Sequence, residues 1–252
     1  MVSFSLDGKI ALITGASRGI GEAIATTLAE YGAHCILVSR KIEGLTAVAE
    51  KIRAAGGKAD PMTCNTGNLE QIESLFRQVD EKFGKLHILI NNAVTNPYFG
   101  EMKDADERAW DKTLEVNLKG PFFITQKAVP LMVKAGSGAV VNTSSVGGLS
   151  PGFNQGIYSI TKAALIMMTK AYAKELAPKN IRVNAILPGL TETKFSTVLI
   201  QTKEIYEAAM QLVPMKRHAQ PIEMAGAVLY LVSDAASYTT GTYILCDGGM
   251  LI

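Results

Sequence analysis

Seven short β-rich runs recur along the chain, at 10–13, 35–38, 58–62, 86–90, 139–142, 181–186 and 243–246. Longer amphipathic stretches alternate with them. Ile20, Ala23, Ile24, Thr27, Leu28 and Tyr31 repeat at helical spacing, as do Leu45, Val48, Ala49 and Ile52, and Leu69, Ile72, Leu75, Phe76, Val79 and Phe83. Most of the runs are continuously apolar rather than alternating, which predicts strands covered on both faces. Strand and helix in alternation, with such strands, predict an α/β fold: a seven-stranded parallel doubly wound sheet with helices on both faces. No low-complexity linker divides the 252 residues, and 48% hydrophobic content suffices for a full core, so one domain over 1–252 is expected.

Two helical stretches are longer, at 107–133 and 158–176. The second carries Ala163, Ala164, Leu165, Met167, Met168, Ala171 and Ala173, so it is apolar nearly all round. A helix with one face on a sheet is ordinarily polar on the other. Small residues on the outer face predict packing against a second chain, with a covering loop of the same chain as the alternative. Lys and Arg total 25 against 23 for Asp and Glu, a net charge of +2, which offers no footprint for nucleic acid or an anionic membrane. Cys35, Cys64 and Cys246 make no complete disulfide framework and no C-x-x-C, so reduced thiols and a cytoplasmic setting are expected. No run approaches a membrane span and residues 1–9 lack a signal peptide's apolar core. His34, His87 and His218 lack ligand spacing, so no metal is expected.

Chemistry enters at Thr14-Gly15-Ala16-Ser17-Arg18-Gly19-Ile20-Gly21, where the first strand gives way to the first helix. A dinucleotide pyrophosphate needs a tight turn, backbone free of Cβ bulk and exposed N–H groups at a helix N-terminus. Gly15 can make the turn, Gly19 can admit the phosphate, and Gly21 can let helix and strand pack closely. Tyr158 and Lys162 stand four residues apart and share one helix face. Of the eight tyrosines, Tyr158 alone has a lysine at i+4. Ser145 ends the fifth strand, near the carboxyl edge where such sheets bind ligands.

The spacing T-G-x-x-x-G-x-G resembles the cofactor motif of the classical short-chain dehydrogenases/reductases. The resemblance extends over nearly the whole chain. Asn91-Asn92-Ala93 resembles the family's N-N-A-G, with Val94 in place of the glycine. Asn117 falls at the catalytic asparagine, Ser144-Ser145 at the serine, Tyr158 and Lys162 at Y-x-x-x-K, Pro188-Gly189 at P-G, and Asp247-Gly248-Gly249 at D-G-G. It implies a single-domain Rossmann fold, a homotetramer, and hydride transfer between a nicotinamide cofactor and a carbonyl or secondary alcohol substrate. In that reaction negative charge builds on the substrate oxygen, Tyr158 donates the proton, and Ser145 hydrogen-bonds the oxygen beside it. A neighbouring Lys162 ammonium is expected to lower the phenol's pKa. By resemblance, Lys162 also holds the nicotinamide ribose and Asn117 supports a water chain. The resemblance further implies that Ser17, Ile20, Asn65, Thr66, Leu190, Thr191 and Thr193 join the residues above around the cofactor, Asn65 replacing the usual aspartate.

Cofactor choice follows from charge. The second strand runs into Ser39-Arg40-Lys41, with no acid before Glu43. A carboxylate there would accept from a ribose 2′-OH and repel a 2′-phosphate, whereas Arg40 can fork onto the phosphate and Ser39 can donate to it. Arg18 approaches from the glycine turn, so NADP(H) is expected; the alternative leaves Arg40 and Lys41 as a solvated loop. Residues 190–214 fall outside the strand–helix rhythm and read as a substrate lid, with Phe195, Val198, Leu199, Ile200 and Tyr206 apolar. Tyr98, Phe99 and Phe153 predict an aromatic lining suited to an apolar ketone or aldehyde. Residues 92–100, with the run from Trp110, are most similar to the NADPH-dependent carbonyl reductase/retinol dehydrogenase branch. The ending Gly249-Met250-Leu251-Ile252 is not a peroxisomal address. Two alternatives stay open. One is a 3-oxoacyl-carrier-protein reductase, using Lys194, Lys203, Lys216 and Arg217 as a basic rim. The other is an inactive cofactor-binding protein.

Overall fold

The computed structural model describes residues 2–252, apart from the side chain of Val198. Its strands are β1 (Ile10–Thr14), β2 (His34–Ser39), β3 (Lys58–Thr63), β4 (Ile88–Asn91), β5 (Gly138–Thr143), β6 (Ile181–Pro188) and β7 (Tyr243–Cys246). They form one sheet in the order β3-β2-β1-β4-β5-β6-β7, every neighbouring pair parallel. Strand order reverses between β1 and β4, which opens a crevice at their carboxyl ends.

Period-two alternation sorts the core into two layers. Ala11, Ile13, Cys35, Leu37, Ile90 and Val141 face α1 (Gly19–Glu30), α2 (Ile42–Ala54) and α9 (Ile222–Val232). Leu12, Ile36, Val38, Leu89 and Val140 face the other layer, α3 (Leu69–Phe83), α5 (Gly120–Lys134) and α6 (Gly156–Leu176). Helix ends follow local chemistry: the Asn68 side chain accepts from Gln71 N–H at 2.9 Å to start α3, and Gly84, at φ 66°, ends it.

The single helix expected over 107–133 is two. α4 (Glu107–Leu114) gives way to a π turn at Glu115–Lys119 before α5 begins. Pro121 has no N–H to offer the carbonyl four residues back, and Gly120 lies so close to the Thr66 carbonyl that a Cβ would strike it. The wider turn buries Asn117. Two-faced coverage also fails at the sheet edges. β3 carries Pro61, tolerated at an edge, and Leu245 of β7 is 40% exposed. On α6, Ile160 and Met167 are exposed, so a loop of the same chain does not cover that face.

Between sheet and helices runs a buried polar network. Asn91 Nδ2 donates to Asn142 Oδ1 at 2.9 Å and to Thr125 Oγ1 at 3.0 Å, and Asn142 Nδ2 donates to Thr169 Oγ1 at 2.9 Å. Asn142→Leu takes away one of the two acceptors of the buried Asn91 amide and the donor to Thr169. It is expected to cost about 1–3 kcal/mol in urea unfolding, and less than about 0.5 kcal/mol would show that the network is dispensable.

Candidate active site

The glycine turn behaves as its chemistry requires. Gly15 and Gly19 take φ of 68° and 59°. A Cβ on Gly21 would run into the Gly15 carbonyl oxygen and lie 2.6 Å from Asn92 Nδ2. Helix α1 starts without a side-chain cap, so its first N–H groups face the crevice at its positive end. Thr14 closes the back of the turn. Its hydroxyl donates to the Ile90 carbonyl at 3.1 Å and accepts from the N–H groups of Asn92 and Ala93 at 2.9 and 3.0 Å. Thr14 opened the glycine motif in the sequence, but its role as a strut shows only once β4 lies beside β1. Asn92 Nδ2 donates to the Thr14 carbonyl at 3.1 Å, whereas the Asn91 side chain is turned into the buried network.

Beside the turn, Ser17 packs on Gly44 of α2, bringing the phosphate turn next to the end of β2. Arg18, Arg40 and Lys41 are exposed, and none forms an ion pair among the described residues. The Ser39 hydroxyl donates to the Lys41 carbonyl at 3.0 Å, so it fixes the loop of cations. Asn65 Oδ1 accepts from Gly67 N–H at 3.2 Å and Thr66 is buried against Gly120. Pro188, Gly189 and Leu190 lead from β6 into the lid stem, where the Thr191 hydroxyl donates to the Gly189 carbonyl at 3.1 Å. The Thr193 methyl lies against Gly19. Beside Asn92 and Ala93, Val94 is 37% exposed. Open glycine surface, free helix N–H groups and uncommitted cations fit a phosphorylated dinucleotide, which when bound supplies or accepts the hydride.

Tyr158, Lys162 and Ser145 come together at the carboxyl edge of β5. Lys162 Nζ donates to the Thr143 carbonyl at 2.7 Å and lies 5.4 Å from the centre of the Tyr158 ring. Ser145 Oγ accepts from Gly147 N–H at 3.1 Å, and Ser144 Oγ donates to the Lys162 carbonyl at 2.8 Å. The expected drop in the Tyr158 pKa is not what the site produces. Burial pushes the phenol up to about 12, and a hydrogen bond from Ser145 only partly offsets this. Burial also pulls Lys162 down to about 7. Its ammonium faces the ring, not the phenol oxygen, so attraction cannot outweigh desolvation. The phenol therefore stays a proton donor at neutral pH.

Asn117 is buried and clamps the loop after β4. Its Oδ1 accepts from Thr95 N–H at 2.8 Å, and its Nδ2 donates to the Thr95 carbonyl at 2.9 Å and to Thr161 Oγ1 at 3.3 Å. Thr161, one residue before Lys162, was a residue that pattern reading passed over.

A family model described as enoyl-(acyl carrier protein) reductase matches residues 15–251. The chain belongs to the short-chain dehydrogenase/reductase family. It is 40% identical over 244 residues to the human dehydrogenase/reductase SDR family member 4, covering 97% of this chain and 88% of that protein. It is also 40% identical over 249 residues to the 3-oxoacyl-[acyl-carrier-protein] reductase FabG of Thermotoga maritima, covering 98% and 99%. A putative NAD(P)-dependent gluconate 5-dehydrogenase from Beutenbergia cavernae, solved with bound NADP, superposes with a TM-score of 0.94 at 32% identity over 98% of each chain. Solved relatives with NADP and with NAD+ both occur.

The family resemblance and the fold drawn from sequence are thus borne out, and this family member is an oxidoreductase using a nicotinamide cofactor. Tyr158→Phe is expected to leave fold and cofactor binding intact and to lower kcat by roughly 10³-fold; near-normal turnover would remove Tyr158 from the mechanism. Because the phenol's pKa is raised, ketone reduction should stay level between about pH 8 and about pH 10. Alcohol oxidation, which needs the phenolate, should rise across the same range. Initial rates in both directions check the sign.

Proposed function

We propose that the chain reduces apolar ketones or aldehydes with NADPH and can run the reverse oxidation of secondary alcohols. The observation that carries this reading is the buried Tyr158 phenol, held beside Ser145 and Lys162 and roofed by an aromatic ring. Phe195 of the lid stacks on Tyr158 with ring centres 5.6 Å apart and planes tilted by 37°. The two loops expected to wall the pocket are joined where Gly100 N–H donates to the Asn154 carbonyl at 3.0 Å. They carry Tyr98, Phe99 and Phe153, and the Tyr98 hydroxyl is already satisfied by the Glu101 carbonyl at 2.7 Å. A lining of this kind favours an apolar flank on the substrate over a sugar or polyanion.

In this reading Tyr158 gives its proton to the carbonyl oxygen as negative charge develops, and Ser145 donates a second hydrogen bond to that oxygen. Lys162 orients the nicotinamide ribose from behind the phenol ring, with its amine 5.4 Å from the ring centre. Asn117 sets the loop at Thr95 and the helix at Thr161, and through them the frame for proton supply. The glycine turn, Asn92, Ala93 and residues 188–193 hold the dinucleotide. Arg18, Arg40 and Lys41, all free of carboxylates, support NADP(H) over NAD(H). The carrier-protein alternative has a 40% identical relative behind it but a weak rim. Arg217 is forked onto Glu223 at 2.7 Å, Lys203 lies 3.9 Å from Glu207, and Lys216 donates to the carbonyls of Met210 and Gln211, which leaves Lys194 as the one rim cation without such a partner among the described residues. An inactive cofactor-binding protein is disfavoured by the intact trio of Ser145, Tyr158 and Lys162.

Assembly as a homotetramer belongs to the same reading. An open groove of about 700 Å³ runs beside α4, α5 and α6, lined by Leu114, Leu118, Phe122, Phe123 and Met168. With exposed Met167 and Ile160 nearby, it continues the small-residue face of α6. A cytoplasmic setting is supported by three free cysteines, two of them with thiols pushed up to about 12 and about 11 by burial. No helix among the described residues is long and apolar enough to cross a membrane.

Steady-state rates with an alkyl phenyl ketone, a carrier-linked 3-oxoacyl group and both cofactors test the function. NADPH with the free ketone should be the best pair, and preference for the carrier-linked substrate would favour the alternative. Arg40→Asp should weaken NADPH by about 10-fold or more, the weight of one charged hydrogen bond, while NADH changes far less. An unchanged preference would refute the charge reading. Light scattering at micromolar concentration should report four copies, and a stable monomer of 27.0 kDa would refute the assembly.

A further inference from the structure

The lid consists of a stem at 189–196, then α7 (Thr197–Gln201) and α8 (Lys203–Leu212). The stem is well held. Thr191 pairs with Ala219 in an isolated parallel bridge, Ala219 N–H donates to the Leu190 carbonyl at 2.9 Å, and Glu192 N–H donates to the Ala219 carbonyl at 2.8 Å. Ser196 knots the far end of the stem, its hydroxyl donating to the Thr191 carbonyl at 2.5 Å. Helix α8 has less to hold it, since Met210 is its one buried side chain among the described residues.

His218 bridges the two. Alternation along the strip at 218–220 places His218 and Gln220 on the same side, either side of Ala219. Both reach Glu192: Gln220 Nε2 donates to its Oε2 at 2.6 Å, and His218 Nε2 lies 3.3 Å from the same oxygen. The other ring nitrogen, Nδ1, lies 3.0 Å from the Tyr206 hydroxyl on α8, and the two rings meet edge to face with centres 5.7 Å apart. Of the two neutral tautomers, one satisfies both contacts. Nε2–H donates to the carboxylate, and the Tyr206 hydroxyl donates to Nδ1. The strip itself is bound to α9. Arg217 forks onto Glu223 at 2.7 Å through both nitrogens, and Gln220 N–H donates to Glu223 at 2.8 Å.

We propose that His218 is a positioning residue that pins the far helix of the lid to its stem, fixing how the lid sits over Tyr158. Glu192 stands three residues before Phe195, the ring that roofs the phenol, so one imidazole connects the roof's stem to α8 and, through its strip, to α9. The role in turnover rests on the carbonyl-reductase reading above, but the mechanical role does not.

His218→Leu and Tyr206→Phe test it. Amide hydrogen exchange over 197–212 in the cofactor-bound protein, without substrate, should speed by about fivefold or more in each variant, the weight of one net hydrogen bond. Exchange in β1 and β5 should be unchanged. KM for an alkyl phenyl ketone should rise by a similar factor, with kcat within about twofold and NADPH affinity unaltered. The double variant should be no worse than the worse single one, because both remove the same link. His218→Gln, which keeps a donor toward Glu192, should recover part of the KM. Exchange over 197–212 unchanged in folded Tyr206→Phe and His218→Leu overturns the proposal, as do additive effects of the two substitutions. If the wild type reduces no ketone, the functional reading fails while the exchange experiment still decides the pin.

Discussion

A buried lysine tolerates few surroundings, and the position of Lys162 sets most of the candidate cleft. It is only 2% exposed and has the Thr143 carbonyl, at the end of β5, as its partner. The strand therefore has to end where the helix begins to need it. Ser144 returns a hydrogen bond to the Lys162 carbonyl, so β5 and α6 are tied twice within one turn of helix. Gly148 completes the fit, because a Cβ there would lie 2.8 Å from the Lys162 backbone. Ser145 sits inside this double tie, and its hydroxyl is aimed by the geometry of its neighbours.

Desolvation then gives the pair its chemistry. Taking a lysine and a tyrosine out of water favours the neutral form of each, which keeps the phenol protonated and ready to donate. The surrounding interior is kept from being simply greasy by Asn91, Thr125, Asn142 and Thr169, whose hydrogen bonds cross from sheet to helices. Such a network rewards a single register, since a slip of one residue would leave several buried polar groups unpaired. Precision at Tyr158 is thus inherited from strands far more extended than the site.

The parts legible in the sequence were those whose signal is local. Apolar runs announced the strands, and three glycines at fixed spacing announced the phosphate turn because each answers a separate steric need. The i+4 spacing of Tyr158 and Lys162 needs only a helix to be read. What stayed hidden depends on neighbours distant in the chain. The π turn at Glu115–Lys119 comes from Pro121 and from the Thr66 carbonyl facing Gly120. The upward shift at Tyr158 comes from burial by other elements, where a count of charges suggested a downward one. Thr161 looks like an ordinary threonine until Asn117 is beside it. His218 looked idle because its partners, Glu192 and Tyr206, lie 26 and 12 residues away.

The cleft divides into a rigid side and a suspended one, and the two touch. Thr193, in the lid stem, rests its methyl on Gly19, while Phe195, two residues on, rests its ring on Tyr158. The same short stem thus reaches the phosphate turn and the proton donor. The segment that roofs the phenol is therefore also a neighbour of the phosphate turn. Glycine at position 19 keeps this contact close, since any larger residue would push the stem away from both partners at once. The exposed cations at Arg18 and Arg40 lie outside this contact. In the proposed reading they choose between dinucleotides without touching the geometry at Tyr158.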